Sequence, residues 1–323
     1  MTARRLARGA EPAPAGVLER GLSERHRRPV RVTGVECEPL DTYSSHPVYR
    51  LRATLESGEP LIAIFKRLRR DADGREREVL LYRRLLAGRR FDAPELYAAL
   101  YDEERDLYWL FLEDVGRWKL EWCEAEVWPA AFRWMARMHA ECHGREEELL
   151  SLGCLLPHGP EFWRALAEEA RRSLHERGTP RSLARFDALT GRYLGPAAEY
   201  LARRPKTLVH GDASCHNLNV QPGPRVRPID WEWAAVGVAA WDVAKLLSGW
   251  GAEKPRLLAA YLEEFERRAP LDREGFYRDL EHCRALHRVW YLRWWVRGCE
   301  EPEFVERLLD GMEETWERLE EDV

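Results

Sequence analysis

The sequence has no apolar run approaching the ~20 residues a helix needs to cross a bilayer, so helical membrane spans are excluded. It begins MTARRLARGAEPAPAGVLER, which carries an arginine pair but no apolar core of the kind a signal peptide has. That stretch reads as a flexible tail, residues 1–25, on a chain expected in the cytoplasm. Positive charge is not in excess: the net charge is -5, which leaves no global basic field for nucleic acid. The seven cysteines are odd in number and form no C-x-x-C pair, so reduced thiols are expected instead of a disulfide framework or a structural zinc. No G-x-G-x-x-G occurs, no A-P-E follows Asp230, and no internal repeat is present. Lysine is scarce: among 51 basic residues only Lys66, Lys119, Lys206, Lys245 and Lys254 are lysines. A lysine ending an apolar strand is therefore informative in this chain.

What is present suits two lobes, since 323 residues exceed one small core. The stretches VRVTGVECEPL, PVYRLRATLE, PLIAIFKRL, ELYAALYD and LYWLFLED alternate or carry short β-branched and aromatic runs, and read as strands. Between the third and fourth, DADGREREVLLYRRLLAG places Val79, Tyr82, Leu85 and Leu86 at helical spacing. From about Lys119 the pattern is mainly helical, except around residues 207–231. A strand-rich lobe over 26–115 and a helical lobe over 116–323 follow.

The exception holds the chemistry. HGDASCHN places Asn217 five residues after Asp212, and RPIDWEW adds Asp230 thirteen residues later. An amide oxygen and a carboxylate are hard ligands of the kind Mg²⁺ takes, with substrate phosphates and waters completing its shell. Asn217 and Asp230 are sufficient as protein ligands, which leaves Asp212 to accept a proton from a hydroxyl. The order base, then Asn five on, then a downstream metal Asp is that of phosphoryl transfer, where positioning and charge neutralisation carry the reaction.

HGDASCHN with IDWE resembles the aminoglycoside phosphotransferase and choline kinase-like enzymes. The resemblance implies an α+β, two-lobed protein-kinase-like fold, with a small antiparallel sheet lobe bearing one helix and a larger, mainly helical lobe. It implies ATP, with GTP possible, as co-substrate, Mg²⁺, and a small-molecule hydroxyl acceptor such as an aminoglycoside, another amino sugar or an amino alcohol. A monomer or dimer is expected. Lys66 then corresponds to the lysine that meets the phosphates. Its carboxylate partner is Glu76 or Glu78; Glu78 is preferred because it precedes Tyr82 by four, a spacing frequent at this helix in the family. The backbone of Glu113 and Val115 corresponds to the adenine-reading connector. In place of a glycine loop the family often has a short polar hairpin, so Ser44 and Ser45 are the phosphate-loop candidates, stiffened by Pro47. Asp242 resembles the family's helix-start Asp that supports the catalytic loop. For the acceptor, Glu232 and Trp231 are nearest in sequence to the metal Asp. The alternative is a nucleotide-binding pseudokinase or regulatory scaffold, disfavoured because Lys66, Asp212, Asn217 and Asp230 are all present.

Overall fold

A computed structural model describes residues 14–40, 47–69, 77–295 and 302–321. Ser44, Ser45 and Glu76 lie outside the described residues. In chain order the first elements are α1 (Pro14–His26), β1 (Val32–Pro39), β2 (Val48–Leu55), β3 (Pro60–Arg69), α2 (Arg77–Arg84), β4 (Leu96–Asp102) and β5 (Leu107–Glu113). Then come α3 (Trp128–Cys142), α4 (Glu146–Ser151), β6 (Leu156–Pro157), α5 (Pro160–Arg177), α6 (Pro180–Ala202), β7 (Thr207–Val209), β8 (Leu218–Gln221) and β9 (Arg225–Pro228). The last are β10 (Ala235–Gly237), α7 (Ala240–Leu246), α8 (Lys254–Glu266), α9 (Arg273–Trp295) and α10 (Pro302–Glu321).

The chain divides into two units. One comprises Met1–Trp118, Leu152–Cys154 and Asn219–Glu232. Its five-stranded sheet is antiparallel throughout, in the order β1-β2-β3-β5-β4. Alternation along the strands separates two faces. Leu51 and Ala53, Ala63 and Phe65, Ala98 and Leu100, Trp109 and Phe111 point one way and form a core with Val17, Leu18 and Leu22 of α1. On β3 the residue after Phe65 is Lys66, so the period of two turns Lys66 to the opposite face. The sheet thereby fixes the lysine by packing its neighbour.

Helix α1 corrects the reading of residues 1–25 as a tail. Residues 14–25 belong to it. Its apolar stripe is only three residues wide, and Pro, Ala, Gly and Arg around it look like linker composition. Gly21 lets the helix approach the sheet closely: a Cβ there would lie 2.3 Å from Ala98 Cβ and 2.4 Å from the Tyr97 carbonyl oxygen.

The other unit comprises Lys119–Ser151, Leu155–Leu218 and Trp233–Val323. Its described part is mainly helical, with α3 against α8, α9 against α5, α7 and α10, and α5 against α6. Proline stands in the first turn of α3, α5, α6 and α8, and a reciprocal Thr179–Ser182 capping box starts α6. A small sheet in the order β6-β10-β7 leads into the HGDASCHN segment, because β7 runs directly into His210.

Candidate active site

The loop after β7 is held from both sides. Gly211 has φ +84, and a Cβ on it would lie 1.9 Å from the Trp233 carbonyl oxygen. No other residue fits both conditions, which explains why the motif reads H-G-D. The carbonyl of Gly211 accepts from Trp241 Nε1 at 2.9 Å. The amides of His210 and Gly211 donate to Asp242 at 2.7 and 3.0 Å. Asp242 is fully buried. Burial pushes its carboxyl upward, but the His139 hydrogen bond, the charges of His139 and His210 and the His210 amide together hold it below the usual carboxylate range. His139 is in turn fixed by Tyr261, 2.9 Å from its Nδ1. Asp242 thus shapes the loop through two backbone N–H groups.

On this frame Asp212 and Asn217 meet. Asn217 Nδ2 donates to Asp212 Oδ2 and to the Asp212 carbonyl, each at 3.0 Å. With its NH₂ so used, the side chain's other polar atom is the amide oxygen. The other oxygen of Asp212, Oδ1, is 3.0 Å from Lys245 Nζ. Lys245 lies on α7, three residues after Asp242, and its ammonium is 4.6 Å from the Tyr291 ring centre. Burial alone lowers its pKa, but Asp212 and Tyr291 raise it above the ordinary lysine value, so it is a cation.

The first unit holds a second cluster. Lys66 Nζ donates to Glu78 Oε1 at 2.9 Å and to Asp230 Oδ1 at 2.8 Å. Burial opposes the ammonium, yet Asp230, Glu78 and Glu232 hold it well above the usual lysine range. Glu78 comes from α2 and Asp230 from the segment after β9, so residues from three segments converge on one nitrogen. Asp230 has φ +64, a left-handed conformation that costs a non-glycine residue energy and that Asp tolerates better than most.

The connector after β5 is bound to β8. Val115 is buried, and its carbonyl accepts from Gln221 Nε2 at 3.1 Å. Asn219 Nδ2 donates to the Gly116 carbonyl at 2.7 Å, and the Val220 amide to the Trp118 carbonyl at 2.7 Å. Asp114 accepts from Arg50 Nε at 2.6 Å and from the Gly116 amide at 2.9 Å. The Glu113 side chain accepts from Arg227 Nη2 at 2.7 Å. These bonds fix the backbone of 113–118 and leave the Val115 amide as the connector's candidate adenine-edge donor.

The phosphotransferase enzyme family matches residues 36–277 of this sequence. The chain belongs to that family. No curated protein matches it. Among solved structures it is similar to a macrolide 2'-phosphotransferase type I, at 18% identity and TM-score 0.56 over 92% of this chain and 94% of that one. It is similar to the GDP complex of an aminoglycoside 2'-phosphotransferase-IIIa mutant, at 18% identity and TM-score 0.57 over 90% and 91%. It is also similar to an ethanolamine kinase of Plasmodium vivax, at 13% identity and TM-score 0.58 over 87% and 81%. At these identities the likeness is one of fold, the two-lobed α+β fold of protein kinases.

In this phosphotransferase two sequence-derived acceptor candidates fare differently. Trp231 is 1% exposed, which corrects its reading as an acceptor contact: the indole is core. Its position beside Asp230 gave no sign of this, because a core tryptophan and a pocket wall look alike in sequence. Glu232 stays partly exposed and contributes negative charge at Lys66. Three contributors went unassigned in the sequence: Lys245, Asn219 and Gln221. The rarity of lysine was the available signal for Lys245, and for the two amides it was their place directly after Asn217.

Proposed function

We propose that this chain transfers the terminal phosphoryl group of ATP, or of GTP, to a hydroxyl of a small molecule. The observation that carries the reading is the buried Lys66 ammonium held between Glu78 and Asp230, in a chain that otherwise uses arginine. Glu78 fixes where the cation sits; a phosphate oxygen then takes the place beside it that Asp230 now shares.

Asp212 is the base. With Asn217 on Oδ2 and Lys245 beside Oδ1, its carboxylate is oriented before any acceptor arrives, so little reorganisation accompanies proton transfer. The donor set fits Mg²⁺: the amide oxygen of Asn217 and the carboxylate of Asp230 are both hard oxygens, and Asp230 already accepts from the Lys66 ammonium. Bound there, Mg²⁺ neutralises phosphate charge. Glu113 and Val115 face the base edge of the nucleotide through their backbone groups, and Ser44 and Ser45 are the phosphate-loop donors. Asn219 and Gln221 keep that connector in register with the catalytic loop's exit strand.

The acceptor class follows from Lys245. A cation already lies against Asp212 and over Tyr291, so an acceptor's own ammonium gains nothing from that carboxylate. Neutral sugar hydroxyls are favoured over choline or ethanolamine. Glu232, partly exposed, is the remaining candidate contact for an amino sugar. The test is nucleoside diphosphate release with ATP or GTP against neutral sugars, macrolides, aminoglycosides, amino sugars, choline and ethanolamine, with mass detection of the product. Any phosphorylated product supports phosphoryl transfer to a hydroxyl, and a phosphorylated neutral sugar supports the acceptor class. Phosphorylation of choline or ethanolamine alone contradicts the acceptor class.

A further inference from the structure

Cys215 and His216 lie inside the catalytic loop, between Asp212 and Asn217, and phosphoryl transfer uses neither. Both face Glu121, in a short turn at Leu120–Trp122. His216 Nδ1 is 2.7 Å from Glu121 Oε2. One ligand atom from each of Glu121, Cys215 and His216 lies within 4.8 Å of the other two. All three side chains are partly buried and reachable from solvent. Lys119 stands 3.9 Å from the other carboxylate oxygen, Oε1, so Oε2 is the ligand-bearing atom.

We propose that Glu121, Cys215 and His216 form a binding site for a borderline-soft divalent ion of the Zn²⁺ type. A sulfur, an imidazole nitrogen and a carboxylate oxygen are the donor types that select zinc over magnesium. In a tetrahedral zinc site such ligand atoms stand on the order of 3.5 Å apart, so the observed cluster needs only a small closing of partly exposed side chains. Three protein ligands leave the fourth position to water. The site is chemically distinct from the oxygen pair of Asn217 and Asp230.

Its place gives it a consequence. The loop is a tight turn in which the Ser214 amide donates to the Asp212 carbonyl at 2.7 Å, and the Asn217 amide to the Ser214 carbonyl at 3.0 Å. Drawing Cys215 and His216 onto an ion shared with Glu121 ties this turn to the Leu120–Trp122 segment and moves the residue next to Asn217. Zinc therefore inhibits by pinning the catalytic loop.

The probe is Co²⁺ added to the full, reduced chain, read by the thiolate-to-cobalt charge-transfer absorption. The wild type shows this band at one equivalent. Cys215→Ser abolishes it, and Glu121→Gln weakens binding by about tenfold or more. Asp230→Ala keeps it, which separates this site from the oxygen pair. Circular dichroism and thermal melting of each variant confirm folding. A wild type without the band, or a band that survives Cys215→Ser and so arises at another cysteine, overturns the proposal. Zn²⁺ inhibition that is lost in Cys215→Ser supports the regulatory part; inhibition equal in both proteins overturns it.

Discussion

Lys245 Nζ lies 3.0 Å from Asp212 Oδ1, joining helix α7 to the residue assigned as base. The lysine side chain is almost fully buried, the aspartate partly exposed. The pair is therefore built from the inside outward: the cation is anchored in the core and presents itself to the carboxylate.

Replacing Lys245 by Met removes that cation and keeps the stem. Turnover is expected to fall by about 10–100-fold, equivalent to about 1.4–2.8 kcal/mol, with nucleotide affinity nearly unchanged. Steady-state kinetics and calorimetry separate the two. Tighter choline or ethanolamine binding in Lys245→Met is the accompanying sign that the ammonium had filled that place.

Lys66→Met removes the buried ammonium that Glu78 and Asp230 share. Breaking a buried pair in this way costs about 3–5 kcal/mol, so both melting temperature and nucleotide affinity fall. Lys66→Met with Glu78→Gln restores part of the stability and none of the affinity. Differential scanning calorimetry with nucleotide titration distinguishes these outcomes.

Two glycine substitutions are expected to have opposite signs. Gly211→Ala meets the Trp233 carbonyl oxygen at 1.9 Å and has φ +84, so it lowers stability and abolishes turnover. Gly191→Ala, inside α6 with nothing within 4 Å of the new Cβ, raises stability by about 0.5–1 kcal/mol. Urea unfolding midpoints check both.

Acid sensitivity follows from three buried histidines. Burial lowers His158 and His287 to about 3 and His282 to about 4. The unfolded chain protonates the same rings near pH 6.5. Between about 6.5 and 4 the unfolded state thus binds more protons, and stability falls as pH drops through that window. The slope is up to ~1.4 kcal/mol per pH unit for each ring. Melting temperature should decline from pH 7 to 5, and His287→Gln should flatten the decline.

The sequence showed local spacing well and distant partners poorly. Asp212 and Asn217 were legible because one short loop brings them together, and Lys66 because lysine is rare and the strand alternates around it. Lys245 pairs across 33 residues, and Asn219 and Gln221 pair with the connector across more than a hundred, where no pattern in sequence marks the contact. The five strands and the long helices followed from periodicity. Helix α1 did not, because a stripe of Val17, Leu18 and Leu22 among Pro, Ala, Gly and Arg carries little amphipathic signal. Trp231 misled for the reason that exposure is decided by packing and not by neighbours in sequence.

The central claim is that Asp212 takes the acceptor's proton while nucleotide is held by other residues. Asp212→Asn keeps the shape of the side chain and removes the base. With an accepted hydroxyl compound, nucleoside diphosphate release should fall by about a thousandfold or more, while calorimetric nucleotide affinity stays within about twofold of the wild type. Turnover within tenfold of the wild type, with nucleotide binding intact, would contradict the account.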